Sequence, residues 1–88
     1  MAKVIKGQFT AAAQVSESIP CSKAAIHLTF SGTGDVAQDI ALDDENFTEL
    51  DSKTTTGPWE YDGVSVSFRL RCKGVQASET IDYVIRTA

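Results

Sequence analysis

From Val64 to Lys73 apolar and polar residues alternate without an error. Val64, Val66, Phe68, Leu70 and Cys72 form one set, and Ser65, Ser67, Arg69, Arg71 and Lys73 the other. Successive side chains of an extended strand point to opposite faces, so the run predicts a β-strand with one buried and one wet face. It also constrains register, because a slip of one residue would turn the large apolar groups into water.

The same period recurs along the chain. Glu79 to Thr87 sets Ile81, Tyr83 and Ile85 against Thr80, Asp82, Val84 and Arg86, so Val84 interrupts an otherwise polar face and is a candidate for cover by a loop or a subunit. Ala24 to Ser31 places Ile26, Leu28 and Phe30 opposite Ala25, His27 and Thr29. Asp35 to Leu42 groups Val36, Ile40 and Leu42 with Gln38, and Asn46 to Leu50 makes a short strand carrying Phe47. Val4 to Thr10 alternates with Ile5 and Phe9 on one side. Ala11 to Val15 has helical composition but is too short for a stable helix, so Ala13 to Ser18 is expected as an edge strand, with a single helical turn as the other reading. Asp62-Gly63 suits a hairpin turn. Ser31 to Gly34, Asp43 to Glu45 and Lys73-Gly74 also read as turns, and Gly57-Pro58 halts the Thr-rich stretch before it. Seven or eight short strands result, with turns every eight to twelve residues. The expectation is an all-β chain: one small antiparallel β-sandwich, or a barrel-like variant, spanning residues 1–88.

At 88 residues with 42% hydrophobic and 23% charged side chains, the chain has the composition of a globular domain rather than a disordered one. A domain of this size buries roughly 60–65% of its unfolded surface, so a neighbour would add stability. The net charge of −4 lacks the electrostatic footprint of a nucleic-acid binder. Met1 to Lys6 leads into Gly7 and Gln8 rather than an apolar run, and no stretch is long enough to span a bilayer, so synthesis in the cytoplasm and no membrane partner are expected. Cys21 and Cys72 make no CxxC pair. A reducing compartment favours free thiols, and a bridge stays the other reading.

Few residues suggest chemistry. The lone histidine, His27, lies on the polar side of its strand with no serine or cysteine motif aimed at it, which reads as a solvent-facing or interface residue rather than a catalytic base. Ser31-Gly-Thr-Gly34 lacks the glycine spacing and the Lys-Ser/Thr of a phosphate loop. Asp43, Asp44, Glu45, Glu49 and Asp51 lack the spacing of a calcium loop and read as a solvated acidic turn. No catalytic residue, cofactor or metal site is predicted. Trp59 and Tyr61, alternating with Glu60, either anchor a partner or cap the core; Trp59 leans to the interface and Tyr61 to the core. Arg69, Arg71 and Lys73 form a basic stripe on an acidic chain, either a solvated strand face or a surface for an acidic partner, another copy's acidic turn included.

The acidic turn, the Thr-rich stretch, the aromatic turn, Ser67-Phe-Arg-Leu-Arg-Cys72 and the final Glu79-Thr-Ile-Asp-Tyr-Val-Ile85 together resemble small virion β-sandwich proteins of tailed bacteriophages. Ile26-His-Leu-Thr-Phe30 and Gly7-Gln-Phe-Thr10 fall where that pattern has strands, whereas Asp43-Asp-Glu-Asn46 stands where it often has a Gly-rich turn. The resemblance implies a virion structural protein, a capsid decoration (cement) protein that binds the major capsid protein or other virion proteins in many copies. A tail- or head-fibre adsorption module that binds host-surface carbohydrate through Trp59 and Tyr61 is the alternative. On either reading the partner-facing candidates are Trp59, Tyr61, Arg69, Arg71, Lys73 and His27, with Ala11 to Val15 and the first strand as candidates for edge pairing.

Overall fold

The computed structural model describes residues 3–87. Among these residues six strands form: β1 (Val4–Phe9), β2 (Ile19–Phe30), β3 (Gly34–Ala41), β4 (Thr48–Lys53), β5 (Gly57–Val75) and β6 (Ile81–Thr87). They make one antiparallel sheet in the order β1-β6-β2-β5-β3-β4. The all-β expectation holds, with six strands in place of seven or eight.

The count drops because β5 is a single element of 19 residues. Its first half pairs with β2, from Leu28↔Gly57 to Ile19↔Phe68, and its second half with β3, from Ala41↔Ser67 to Gly34↔Val75. One strand therefore joins two halves of the sheet. Their inward residues share a core that includes Phe9, Ile26, Leu28, Val36, Tyr61, Phe68, Leu70, Ile81 and Ile85. Phe9 packs on Tyr83 with ring centroids 4.7 Å apart, and Tyr61 on Phe68 at 5.2 Å.

The hairpin turn expected at Asp62-Gly63 is instead a bulge within β5. Trp59 and Tyr61, at odd positions, face the core in the first half; Val66, Phe68, Leu70 and Cys72, at even positions, face it in the second. A strict period of two cannot satisfy both sets. The ladder steps from Lys23↔Asp62 to Cys21↔Val66, so Gly63, Val64 and Ser65 stand against Ser22 alone. Strand β2 changes phase at the same place, with Ile19 buried before it and Ala24, Ile26 and Leu28 after it. Val64, expected in the core, falls inside the step and is 64% exposed. The Tyr61 hydroxyl closes the bulge by donating to the Val64 carbonyl at 2.6 Å.

Other expectations shift for similar reasons. Lys73-Gly74 is not a turn: Lys73 is an extra residue between the pairs Val36↔Cys72 and Asp35↔Gly74, and the reversal follows at Gln76 to Glu79, closed by the Glu79 amide on the Gln76 carbonyl at 3.0 Å. Leu42, expected in the core, lies beyond the end of β3 and is 83% exposed. Thr54 to Thr56 form the connection between β4 and β5, which Gly57 opens with φ 144°. Ala13 to Ser18 makes no strand, because Ala13 turns the backbone with φ 70°. It does line an edge. Val15 bridges Arg71, Cys72 donates to the Gln14 carbonyl at 2.8 Å, and the Leu70 amide donates to the Ser16 hydroxyl at 2.8 Å. This segment covers the side of β5 that β2 leaves at Phe68.

Candidate functional site

The basic stripe of β5 meets an acidic counterpart from its own chain. Strand β3 is buried on both faces: Val36 and Gln38 on one, Ala37, Asp39 and Ala41 on the other. Gln38 is satisfied by donating to the Glu60 carbonyl at 3.0 Å. Asp39 sits opposite Arg69 in the ladder, with its side chain only 2% exposed. Its carboxylate accepts from Arg69 Nε at 3.3 Å, Arg71 Nε at 2.9 Å and Arg71 Nη2 at 3.3 Å. Arg71 continues to Glu49 at 2.9 Å, and Lys73 reaches Glu49 at 3.2 Å and Asp35 at 3.7 Å. The Arg69 guanidinium lies 3.8 Å from the centroid of the Phe47 ring, a cation–π contact. Hydrogen bonding to Asp39 raises the pKa of Arg71 further, against the opposing effect of burial. A partner on this face would meet a neutralised network of cations and anions, not a bare basic stripe.

The aromatic pair is split by the fold. Tyr61 is 3% exposed, a core residue whose hydroxyl is used internally and whose pKa is raised chiefly by burial. It offers no ring face to a sugar or a partner. Trp59 is half-buried against the core, and its indole N–H donates to Asp51 Oδ2 at 3.3 Å. The pair therefore presents no shared stacking platform.

In the acidic turn Asp43 bonds inward. Its carboxylate accepts from the Asn46 amide at 2.8 Å, the Glu45 amide at 3.0 Å and the Asn46 side chain at 2.6 Å. Those bonds, from Asn46 first, hold its pKa down at about 2. Asp44 adopts φ 65° and bonds to the Ser67 hydroxyl. No three His, Cys, Asp or Glu side chains among the described residues are grouped to hold a metal ion. Cys21 and Cys72 are both free, which resolves the two sequence readings in favour of thiols; burial raises both pKa values.

His27 takes its expected outward position, and the structure places it at the centre of a surface that sequence reasoning did not assemble. Strands β1, β6, β2 and the first half of β5 lie side by side, so residues far apart in sequence form rows on their outer face. One row runs Val4, Arg86, Ala25, Glu60 and the next Lys6, Val84, His27, Pro58. All are exposed except Val84, which is half-buried. The only signal available in the sequence was Val84 itself, an apolar residue on a polar face.

A scan against family models matches none, and a search of curated proteins likewise finds no match. Solved structures do share the fold. The SPBc2 prophage-derived protein YomS superposes with TM-score 0.64 at 11% identity, over 99% of this chain and 96% of that one. The Yersinia pseudotuberculosis-derived mitogen gives TM-score 0.62 at 9% identity, over 100% and 86%. A chain of the Bacillus endospore appendages, which form disulfide-linked pili, gives 0.51 at 17% identity, over 100% and 87%. At these identities the likeness establishes the fold alone. None of the described residues forms a helix long and apolar enough to cross a membrane.

Proposed function

We propose that this chain is a non-enzymatic structural protein of a tailed-bacteriophage particle, and that it decorates the head by binding the major capsid protein in many copies. The observation that carries the reading is the open sheet. Among the described residues strand β1 has β6 on one side and no strand on the other, so alternate backbone groups along Val4–Phe9 face outward. An outward edge lets a small domain add itself to a neighbour through backbone hydrogen bonds, and many weak copies add up through multivalency. The sharing of this fold by a prophage-derived protein and by a chain of pilus-forming endospore appendages supports a role in assembled particles.

Mass spectrometry of purified virions tests it, with many copies per particle expected and a copy number near zero refuting it. Add-back of purified protein to particles that lack it then tests the edge. The Thr87 amide donates to the Lys3 carbonyl at 2.9 Å, so in this antiparallel ladder Lys3, Ile5 and Gly7 exchange bonds with β6 and the Lys6 amide faces outward. Lys6→Pro removes that donor without breaking the β1–β6 ladder. The variant is expected to stay folded and to bind particles at least tenfold more weakly; unchanged binding would exclude β1 as the contact.

A further inference from the structure

We propose that the outer face of β1, β6, β2 and the first half of β5 is a self-complementary surface on which a second copy of this chain docks. The two outer faces of the sheet treat charge differently. On the β3–β5 side the cations are paired within the chain, as Arg69, Arg71 and Lys73 are with Asp39, Glu49 and Asp35. On the His27 side Lys23 pairs with Asp62 and Asp82 accepts from Gln8, whereas Lys6, Arg86 and Glu60 have no ion pair and His27 no hydrogen bond among the described residues. These three unpaired charges are segregated. The cations Lys6 and Arg86 lie on β1 and β6, Glu60 on β5, and the small or weakly polar Ala25, His27, Val84 and Pro58 fill the space between. Arg86 and Glu60 share a row with Ala25 between them, so they stand about 10 Å apart, two strand spacings, beyond ion-pair contact within one copy.

A two-fold axis lying in the face, parallel to the strands and between β6 and β2, resolves that arrangement. It places β6 over the second copy's β2, and β1 over the second copy's β5. Arg86 then stands over Ala25 and beside Glu60 of the second copy, Lys6 over Pro58, and Val84 over His27. Each contact occurs twice, as an isologous interface requires. Unpaired opposite charges flank a short, weakly polar centre, in the manner of a rim around a core. Four strands about 4.8 Å apart and seven residues about 3.4 Å each give a face of roughly 400 Å² per copy. A standard stable interface buries about 800 Å² per partner, so the dimer is weak, with dissociation in the micromolar-to-millimolar range.

Sedimentation equilibrium and amide NMR spectra of the whole chain, from about 20 µM to about 1 mM, span the range over which such a dimer forms. Dimer formation is expected with concentration, with shifts centred on Ala25, His27 and Val84. Glu60→Arg and Arg86→Glu, each setting like charges together, should weaken it at least tenfold while leaving the monomer's circular dichroism unchanged. The double variant Glu60→Arg/Arg86→Glu should restore it, which a merely structural role for either residue would not do. A chain monomeric at every concentration, shifts centred elsewhere, or single reversals without effect would overturn the proposal; the first outcome leaves the face to another protein. Failure here leaves head binding intact, because that is read from virion copy number and the β1 edge.

Discussion

Asp39→Ala is the most informative perturbation, because Asp39 is the buried hub of the ion-pair network and its partners are partly wet. Its carboxylate accepts three hydrogen bonds from Arg69 and Arg71 with 2% of its side chain exposed. Arg69 and Arg71 keep 24% and 31% of theirs in water. Breaking a fully buried pair costs about 3–5 kcal/mol, and losing an exposed one about 0–1 kcal/mol. With one partner buried and two partly solvated, the expected loss is about 2–3 kcal/mol. It arises from Arg69 left without its carboxylate and Arg71 left with Glu49, which Lys73 also uses, and from the hole beneath them. For a domain of this size that lowers Tm by about 10–20 °C. The assay is urea unfolding followed by circular dichroism and by the single tryptophan, Trp59, with the midpoint falling by about 1–2 M. Asp39→Asn keeps the shape and one acceptor oxygen, and should lose about half as much. Asp39→Ala/Arg71→Ala should cost less than the sum of its parts, because both act on one interaction. The loss should persist in high salt, as screening reaches buried pairs poorly. A loss under about 0.5 kcal/mol, or one erased by salt, would make this an ordinary surface pair and refute the reasoning.

The phase step in β5 predicts that neighbouring valines differ: Val66→Ala should cost about 2 kcal/mol and Val64→Ala less than about 0.5 kcal/mol, and equal costs in denaturant would place the step elsewhere. Carbon-detected NMR titration should find Asp43 with a midpoint near 2, moved up by Asn46→Ala; a midpoint near 4 in the native chain would mean the turn bonds do not form. Because the folded value lies below the unfolded one of about 3.9, the turn's stabilisation is full above that pH and is lost as pH falls toward 2. Gly7→Ala drives a methyl group into the Tyr83 ring and hydroxyl across the β1–β6 ladder, at an expected cost of about 1–3 kcal/mol; an unchanged Tm would show that Tyr83 swings aside freely.

Alternation is a local property of a pleated chain, and within a stretch of constant strand phase the sequence by itself determined which large apolar side chains face in. Phe68, Leu70 and Cys72, Ile81, Tyr83 and Ile85, and Ile26 and Leu28 are all buried as their spacing requires, and His27 and Thr29 between them are exposed. Val64 and Leu42 broke the pattern because periodicity carries no mark of where a strand ends or changes phase. That was decided by the need of Tyr61 and Val66 to reach the same core from positions of opposite parity. Partners across the sheet were equally invisible. Asp39 lies 30 residues before Arg69 and 32 before Arg71, and nothing in either segment alone says that the stripe will find its counter-ion inside the chain. The outer face around His27 is assembled from β1, β2, β5 and β6, drawn from both ends of the sequence. Strand order is a non-local choice among many possible pairings, and only the folded sheet makes it.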